Sequence, residues 1–347
     1  MIFHSRPTLD QSDFDSVLDV LKSGHLAQGE QVAGFEDAFC SFVGVRNGVA
    51  VSSGTAALHL SLLALGVGNG DEVIIPSYVC CALLNAVKYV KAVPVIADID
   101  RFTFNIDTND IEKRITSKTK AIIVPHMFGF PADIDELLSF GIPVIEDCAQ
   151  SIGAKYQGRY TGSFGVCSIF SFYATKMLAT GEGGMILSND DRLTGILRDL
   201  RDYDEKDCYS VRYNYKMTEI QAALGISQLK KLPSFIGRRK EIASLYNRAL
   251  NEISFPVPSA FEGREHIYYR YVLLLNDSSG FIENMLKMGI ECRRPVFKPL
   301  HEYFGLSGYP VTREVMGRAV SIPVYPLLRD VDTHKISAGI KKILLKG

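Results

Sequence analysis

Hydrophobic and polar positions follow two different periods along the first two-thirds of the chain. Short β-rich runs recur at residues 71–76 (DEVIIP), 92–97 (AVPVIA), 121–125 (AIIVP), 142–145 (IPVI), 167–172 (CSIFSF) and 185–188 (MILS). Between them lie stretches with helical spacing, at 55–65 after a Ser-Ser-Gly start signal and at 80–89 and 135–140. Such alternation predicts an α/β fold, a parallel sheet with crossover helices. Residues 218–231 (TEIQAALGISQLKK) read as an amphipathic helix that Pro233 stops, because proline lacks an N–H and clashes with the preceding turn. A second helical stretch follows at 238–253, then a strand at 268–275 (YYRYVLLL) and a mixed remainder. The 347 residues exceed the roughly 250–300 at which one core stops growing. Two units are therefore expected, a large one over residues 1–232 and a smaller C-terminal one over 233–347.

Composition narrows the class. The chain is 47% hydrophobic and 22% charged, and its 38 basic residues nearly cancel its 39 acidic ones. Nothing global advertises nucleic acid or an anionic membrane surface. The first residues lack a charged segment followed by an apolar run, so no secretory signal is read. The apolar runs are strand-sized, far short of the roughly 20 residues of a membrane helix. Seven cysteines form no C-x-x-C pair, which argues against zinc and for reduced thiols in the cytoplasm.

Three features carry chemistry. Asp147 ends the run PVIED, at the C-terminal end of a buried parallel strand, where open α/β sheets bind ligands. The plainer role for such an acid is a helix cap or a salt-bridged turn. Lys176 follows another strand in FSFYATK and precedes Gly181-Glu182-Gly183-Gly184, so it lies among apolar and aromatic residues rather than on a charged face. Burial there would favour its free amine, a nucleophile and base, although most lysines are simply solvated. Ser52-Ser53-Gly54-Thr55 precedes a helix, whose unpaired N–H groups can receive a phosphate. Together, the three would meet the needs of pyridoxal phosphate (PLP): a lysine for its aldehyde, an acid beside its ring nitrogen and a cradle for its phosphate. An ionised carboxylate favours the protonated ring, which then accepts electrons.

The motifs SGHLAQG (23–29), Phe35-Glu36, SSGTAALHL, GDEVIIPSY, IEDCAQSIGA, FSFYATK, GEGGM and NYKMTEIQAALGISQL stand in an order that resembles the DegT/StrS type of sugar-nucleotide aminotransferases, within PLP fold type I. The resemblance covers nearly the whole chain. It implies a seven-stranded, mostly parallel sheet in the large domain and a smaller α+β domain. It implies that Lys176 bonds the cofactor aldehyde, Asp147 pairs with the ring nitrogen and Gln150 contacts the phenolic oxygen. Gly54, Thr55 and Ser171 would hold the phosphate, and Asn214 would reach the phosphate of a neighbouring subunit, making a homodimer with shared sites. The implied substrates are glutamate and a nucleotide-linked keto-sugar, for which an NDP-4-keto-6-deoxyhexose is expected, in amino-sugar or polysaccharide biosynthesis.

Two departures from the family pattern stand out. Cys80, in Pro76-Ser77-Tyr78-Val79-Cys80, occupies the position of an aromatic residue that stacks on the cofactor; a thiol packs there with less contact area. Lys216 replaces an arginine, keeping the charge but losing the planar fork. For the substrate, Arg293 and His301 are candidates to bind a carboxylate or the sugar diphosphate, with a solvated arginine and a structural histidine as the alternatives. His126, after a strand, is a candidate to line the cleft. Competing readings are amination of a keto-cyclitol and a regulatory protein that binds PLP without turnover. A hydrolase using Ser53 or Cys148 is disfavoured by the lack of a G-x-S-x-G elbow and of a paired histidine.

Overall fold

The computed structural model describes residues 1–258 and 261–345, so the last two residues of the expected C-terminal unit lie outside the described residues. In chain order the strands are β1 (Asn47–Val51), β2 (Glu72–Pro76), β3 (Val93–Ala97), β4 (Thr119–Pro125), β5 (Val144–Asp147), the short β6 (Lys155–Tyr156) and β7 (Arg159–Tyr160), β8 (Cys167–Ser171), β9 (Gly184–Ser188), the short β10 (Arg264–Glu265), β11 (Tyr271–Leu274) and β12 (Ala319–Ile322). Seven of them form one sheet in the order β1-β9-β8-β5-β4-β2-β3. Pairing is parallel from β3 through β8, and only β9 runs against its neighbours. All six strands read from the sequence in this region are present.

Both faces of the sheet are covered, and the two-residue period of a strand sorts its side chains between them. Ile169 of β8 faces one core with Val49, Ile75, Ile123 and Ile145, beneath helices Gly54–Ala64 and Ala82–Tyr89. Its neighbour Phe170 faces the other core with Phe35, Phe39 and Phe172, against helices Glu30–Val43 and Glu219–Asn251. A third core gathers Tyr246, Tyr271, Phe281, Val320, Ile336 and Ile340 around the β11/β12 ladder, and Ile2 from the N-terminus joins it.

One expectation is corrected. Helix Glu219–Asn251 runs unbroken through Pro233, so the two helices expected on either side of that proline are one. The residue 232/233 boundary thus falls inside a helix. Leu232 packs in the second core and Ile242 in the third, so the helix changes partners without a break in its backbone. Pro233 itself is exposed, and burial on both sides of it outweighs the hydrogen bond it cannot make.

Candidate active site

The C-terminal ends of β2, β4, β5 and β8 lie along one edge of the sheet, and the segments that leave them carry most of the residues singled out above. Asp147 is the last residue of β5 and is 7% exposed. One of its carboxylate oxygens accepts from Ala149 N–H at 3.0 Å; the other accepts no hydrogen bond from the described residues. Burial raises its pKa, against the opposing pull of the Ala149 N–H and then of the Lys176 and His126 charges. Lys176 and Asp147 are thus near enough for the charge of one to act on the other.

Lys176 sits in a turn pinned on both sides: its own N–H donates to Tyr173 O at 2.8 Å, and Phe172 N–H donates to Gly183 O at 2.9 Å. Its ammonium lies 5.5 Å from the centre of the Tyr269 ring and has no acidic partner among the described residues. Cys80 is exposed, and the charges of Asp147 and Lys176 both act on its thiol. Burial of its thiol raises the pKa, opposed by the Ala82 N–H, with Asp147 adding to the rise and Lys176 countering it. Gln150 uses its carbonyl to accept from Phe128 N–H at 3.1 Å, and its amide nitrogen has only the Met127 sulfur, at 3.9 Å.

Helix Gly54–Ala64 begins beside this group. Ser53 caps it, its hydroxyl accepting from Ala56 N–H at 3.1 Å, while the N–H groups of Gly54 and Thr55 have no acceptor among the described residues. Gly54 presses against Ser171, the last residue of β8: a Cβ on the glycine would lie 2.8 Å from the serine Cβ. Only glycine permits that approach, and it brings the two amides, the Ser171 hydroxyl and the helix N-terminus together.

The comparisons agree with this geometry. Residues 7–341 match the model of the DegT/DnrJ/EryC1/StrS aminotransferase family. The chain belongs to this family. It is 34% identical to the GDP-perosamine synthase of Caulobacter vibrioides over 362 residues, covering 98% of this chain and 97% of that protein. Among solved structures it is similar to the aminotransferase TlmJ from Streptoalloteichus hindustanus (TM-score 0.94, 29% identity, 100% of this chain and 99% of that one). It is also similar to Spr1654 of Streptococcus pneumoniae in its PLP form (TM-score 0.92, 27% identity, 99% and 98%). The chain is thus a PLP-dependent aminotransferase of the sugar aminotransferase family.

The residues present fit the cofactor of this family. The free Asp147 oxygen lacks the donor that a protonated ring nitrogen would supply, and the amides of Gly54 and Thr55 lack the acceptor that a phosphate would supply. Asn214 lies exposed. Lys216 shares its charge with Asp202 at 2.7 Å and Asp204 at 2.9 Å, and these bonds raise its pKa.

Of the three substrate candidates, the two histidines are held by the protein's own groups, which for His301 is the structural alternative, and Arg293 pairs with a neighbouring acid. His126 is fully buried; one ring nitrogen meets Glu146 at 3.2 Å and the other accepts from Ala132 N–H at 3.0 Å, so no ring nitrogen is left for a substrate. His301 is also buried, bonded to Ser77 Oγ at 2.6 Å and stacked on Tyr309 with ring centres 4.5 Å apart. It supports the segment before Cys80. Arg293 directs Nε and Nη2 to Glu291 Oε1, at 2.8 and 2.5 Å.

Buried acids that received no role from the sequence hold this architecture in place. Glu146, beside Asp147, accepts from the N–H groups of Gly162, Phe164 and Gly165 at 2.7–2.8 Å as well as facing His126. Those donors account for its burial next to His126 and Cys148, a trio with metal-like spacing. Glu219 accepts from the N–H groups of Gly29, Gln31 and Val32, fixing the 23–29 loop at a helix start. Tyr269 and Arg270 also went unassigned. Their signal was present in the run HIYYRY, where an arginine stands between aromatic residues at the start of a strand.

Proposed function

We propose that this chain transfers the amino group of glutamate to a nucleotide-linked keto-sugar, with an NDP-4-keto-6-deoxyhexose as the acceptor class, in the cytoplasm and as a homodimer. Relatives named GDP-perosamine synthase support a GDP-linked sugar, and a relative named spore coat polysaccharide biosynthesis protein SpsC, from Bacillus subtilis, supports a biosynthetic setting. The observation that carries the reading is a lysine amine with no acidic partner among the described residues, near enough for its charge to act on a buried, half-satisfied carboxylate. Exposed Asn214, together with Phe297 at 93% and Tyr209 at 95% exposure, supports a second copy of the chain completing the site. No helix among the described residues is long and apolar enough to cross a membrane.

The cofactor supplies, when bound, an aldehyde carbon and an electron-accepting ring. The chain's own residues would do the rest. Asp147 holds negative charge against the ring nitrogen, and Gln150 donates its amide to the ring oxygen. Gly54, Thr55 and Ser171 anchor the phosphate, joined by Asn214 of a second copy, and Cys80 packs against the ring. Lys176 Nζ would take up the proton of the donor Cα and hold it for delivery to the carbon that carried the cofactor's aldehyde. Positioned proton transfer of this kind is typically worth about 10²–10⁴-fold.

The test is a mass-spectrometric screen of keto-sugar nucleotides with glutamate, reading amine product and 2-oxoglutarate. Product from the native protein and none from Lys176→Ala is expected. Equal turnover by that variant would remove Lys176 from its role, and amination of keto-cyclitols in place of sugar nucleotides would reassign the acceptor.

A further inference from the structure

Two buried acids stand side by side at the end of β5, and the two-residue period of the strand sends them to opposite faces of the sheet. Asp147 keeps one oxygen without a donor among the described residues. Glu146 is filled on both oxygens. Its Oε1 accepts from the N–H groups of Phe164 and Gly165 at 2.8 Å each, and its Oε2 from Gly162 N–H at 2.7 Å and His126 Nε2 at 3.2 Å. These donors match the roughly four acceptor sites of a carboxylate.

The same bonds fix the tautomer of His126. Its Nδ1 accepts from Ala132 N–H at 3.0 Å and so carries no proton, which puts the ring proton on Nε2, toward Glu146. His126 also reaches Asp147 through the backbone. Its N–H donates to Asp147 O at 3.2 Å, one residue beyond the β4/β5 ladder that pairs Pro125 with Asp147. From the other side, Cys148 N–H donates to Ile169 O of β8 at 2.8 Å.

Neighbouring buried acids disfavour each other's ionised forms unless the charge of one is balanced. Burial pushes the Glu146 pKa up, but the His126 ring and the Gly165 and Gly162 N–H groups outweigh it, and the pKa is lowered. Of the other titratable groups around the pair, Lys176 favours the ionised form of Asp147, while burial raises the pKa of the Cys148 and Cys80 thiols.

We infer that His126 and Glu146 are a positioning pair for Asp147: the imidazole N–H balances the glutamate and the histidine backbone holds the aspartate, so that Asp147 stays ionised beside the cofactor's ring nitrogen. The inference rests on the reading of Asp147 as the partner of that nitrogen.

The experiment follows the absorbance of the full-length protein loaded with PLP against pH and takes the midpoint at which the cofactor's bond to Lys176 loses its proton. A protonated ring nitrogen repels that proton, so a weaker Asp147 charge moves the midpoint up. Asp147→Asn should raise it by about one pH unit or more. His126→Asn keeps an acceptor for Ala132 N–H but offers Glu146 no donor, and should raise it by about 0.5 to 1 unit. His126→Gln, whose amide nitrogen can stand where Nε2 stood, should remain nearer the native value. In the Asp147→Asn background, His126→Asn should add no further shift, whereas a general loosening of the fold would shift both backgrounds alike.

A native midpoint in folded His126→Asn overturns the inference, and so does an equal shift in both backgrounds. Should His126→Asn fail to fold, NMR of the native protein with nitrogen-labelled histidine and cofactor decides: a proton on His126 Nε2 and another on the cofactor's ring nitrogen support the pair, and a proton on Nδ1 or a bare ring nitrogen overturns it. If Asp147→Asn itself leaves the midpoint unmoved, the reading of Asp147 falls and the inference with it. A shift in Asp147→Asn with none in His126→Asn overturns the inference alone.

Discussion

Gly54 and Ser171, from a helix start and a strand end, approach so closely that a glycine Cβ would stand 2.8 Å from the serine Cβ and 3.2 Å from its hydroxyl. The contact joins two segments that are 117 residues apart, the difference between their positions in the chain, and it aims two unpaired amides and a hydroxyl at one point. Gly54→Ala should therefore weaken phosphate anchoring and lower stability by about 1–3 kcal/mol, the usual effect of overpacking. Ser171→Gly in the same chain should restore the melting temperature without restoring cofactor affinity, because the clash goes but the hydroxyl goes with it. Thermal melts and PLP titrations of the single and double variants check this.

Asp147→Asn removes charge while keeping shape. The variant should still bind PLP through its phosphate cradle, yet its donor half-reaction should slow by on the order of 10²-fold or more, as when one preorganised electrostatic contact is lost. Single-turnover absorbance with glutamate reads this. A native rate would show that the carboxylate charge plays no part.

His4 links the N-terminus to Arg270, just before β11, and sets a pH limit. Burial, then Arg270 and Arg293, lower its pKa from 6.5 to about 3, with Glu291 opposing and Arg239 adding slightly. The unfolded chain thus takes up a proton below pH 6.5 that the folded chain refuses until about pH 3. This contribution to stability is complete above 6.5 and lost as pH falls through that window. His4→Gln should flatten the fall in urea-unfolding free energy between about pH 6.5 and about pH 4 while changing little above it. An identical slope in both proteins would exclude His4 as the source.

The structure explains which elements could be read in advance and which could not. β1, with the sequence NGVAV, escaped because glycine and alanine dilute its β-branched signal; it is a strand because β9 pairs with all five of its residues. Pro233 looked like a helix end because the local rule is sound, and only the two cores gripping Leu232 and Ile242 overrule it. His301 was a candidate because its segment resembles one that folds back toward the site in the family. Its actual partners, Ser77 and Tyr309, lie elsewhere in the chain.

What the sequence alone determined was the set of chemical groups and their local settings: a lysine after one strand, an acid at the end of another, and a serine-capped helix with glycine at its first turn. Hydrophobic period and capping chemistry act over a few residues, so they are written locally. Tertiary structure decided which charges are spent and which remain free. Among the described residues, Arg293 is paired by Glu291, the Arg270 side chain meets only a histidine that arrives from the N-terminus, and Asp147 keeps one bare oxygen. The physical reason is that a charged side chain's energy depends on solvent and partners within a few ångströms, and in a parallel sheet those partners come from crossover segments far away along the chain.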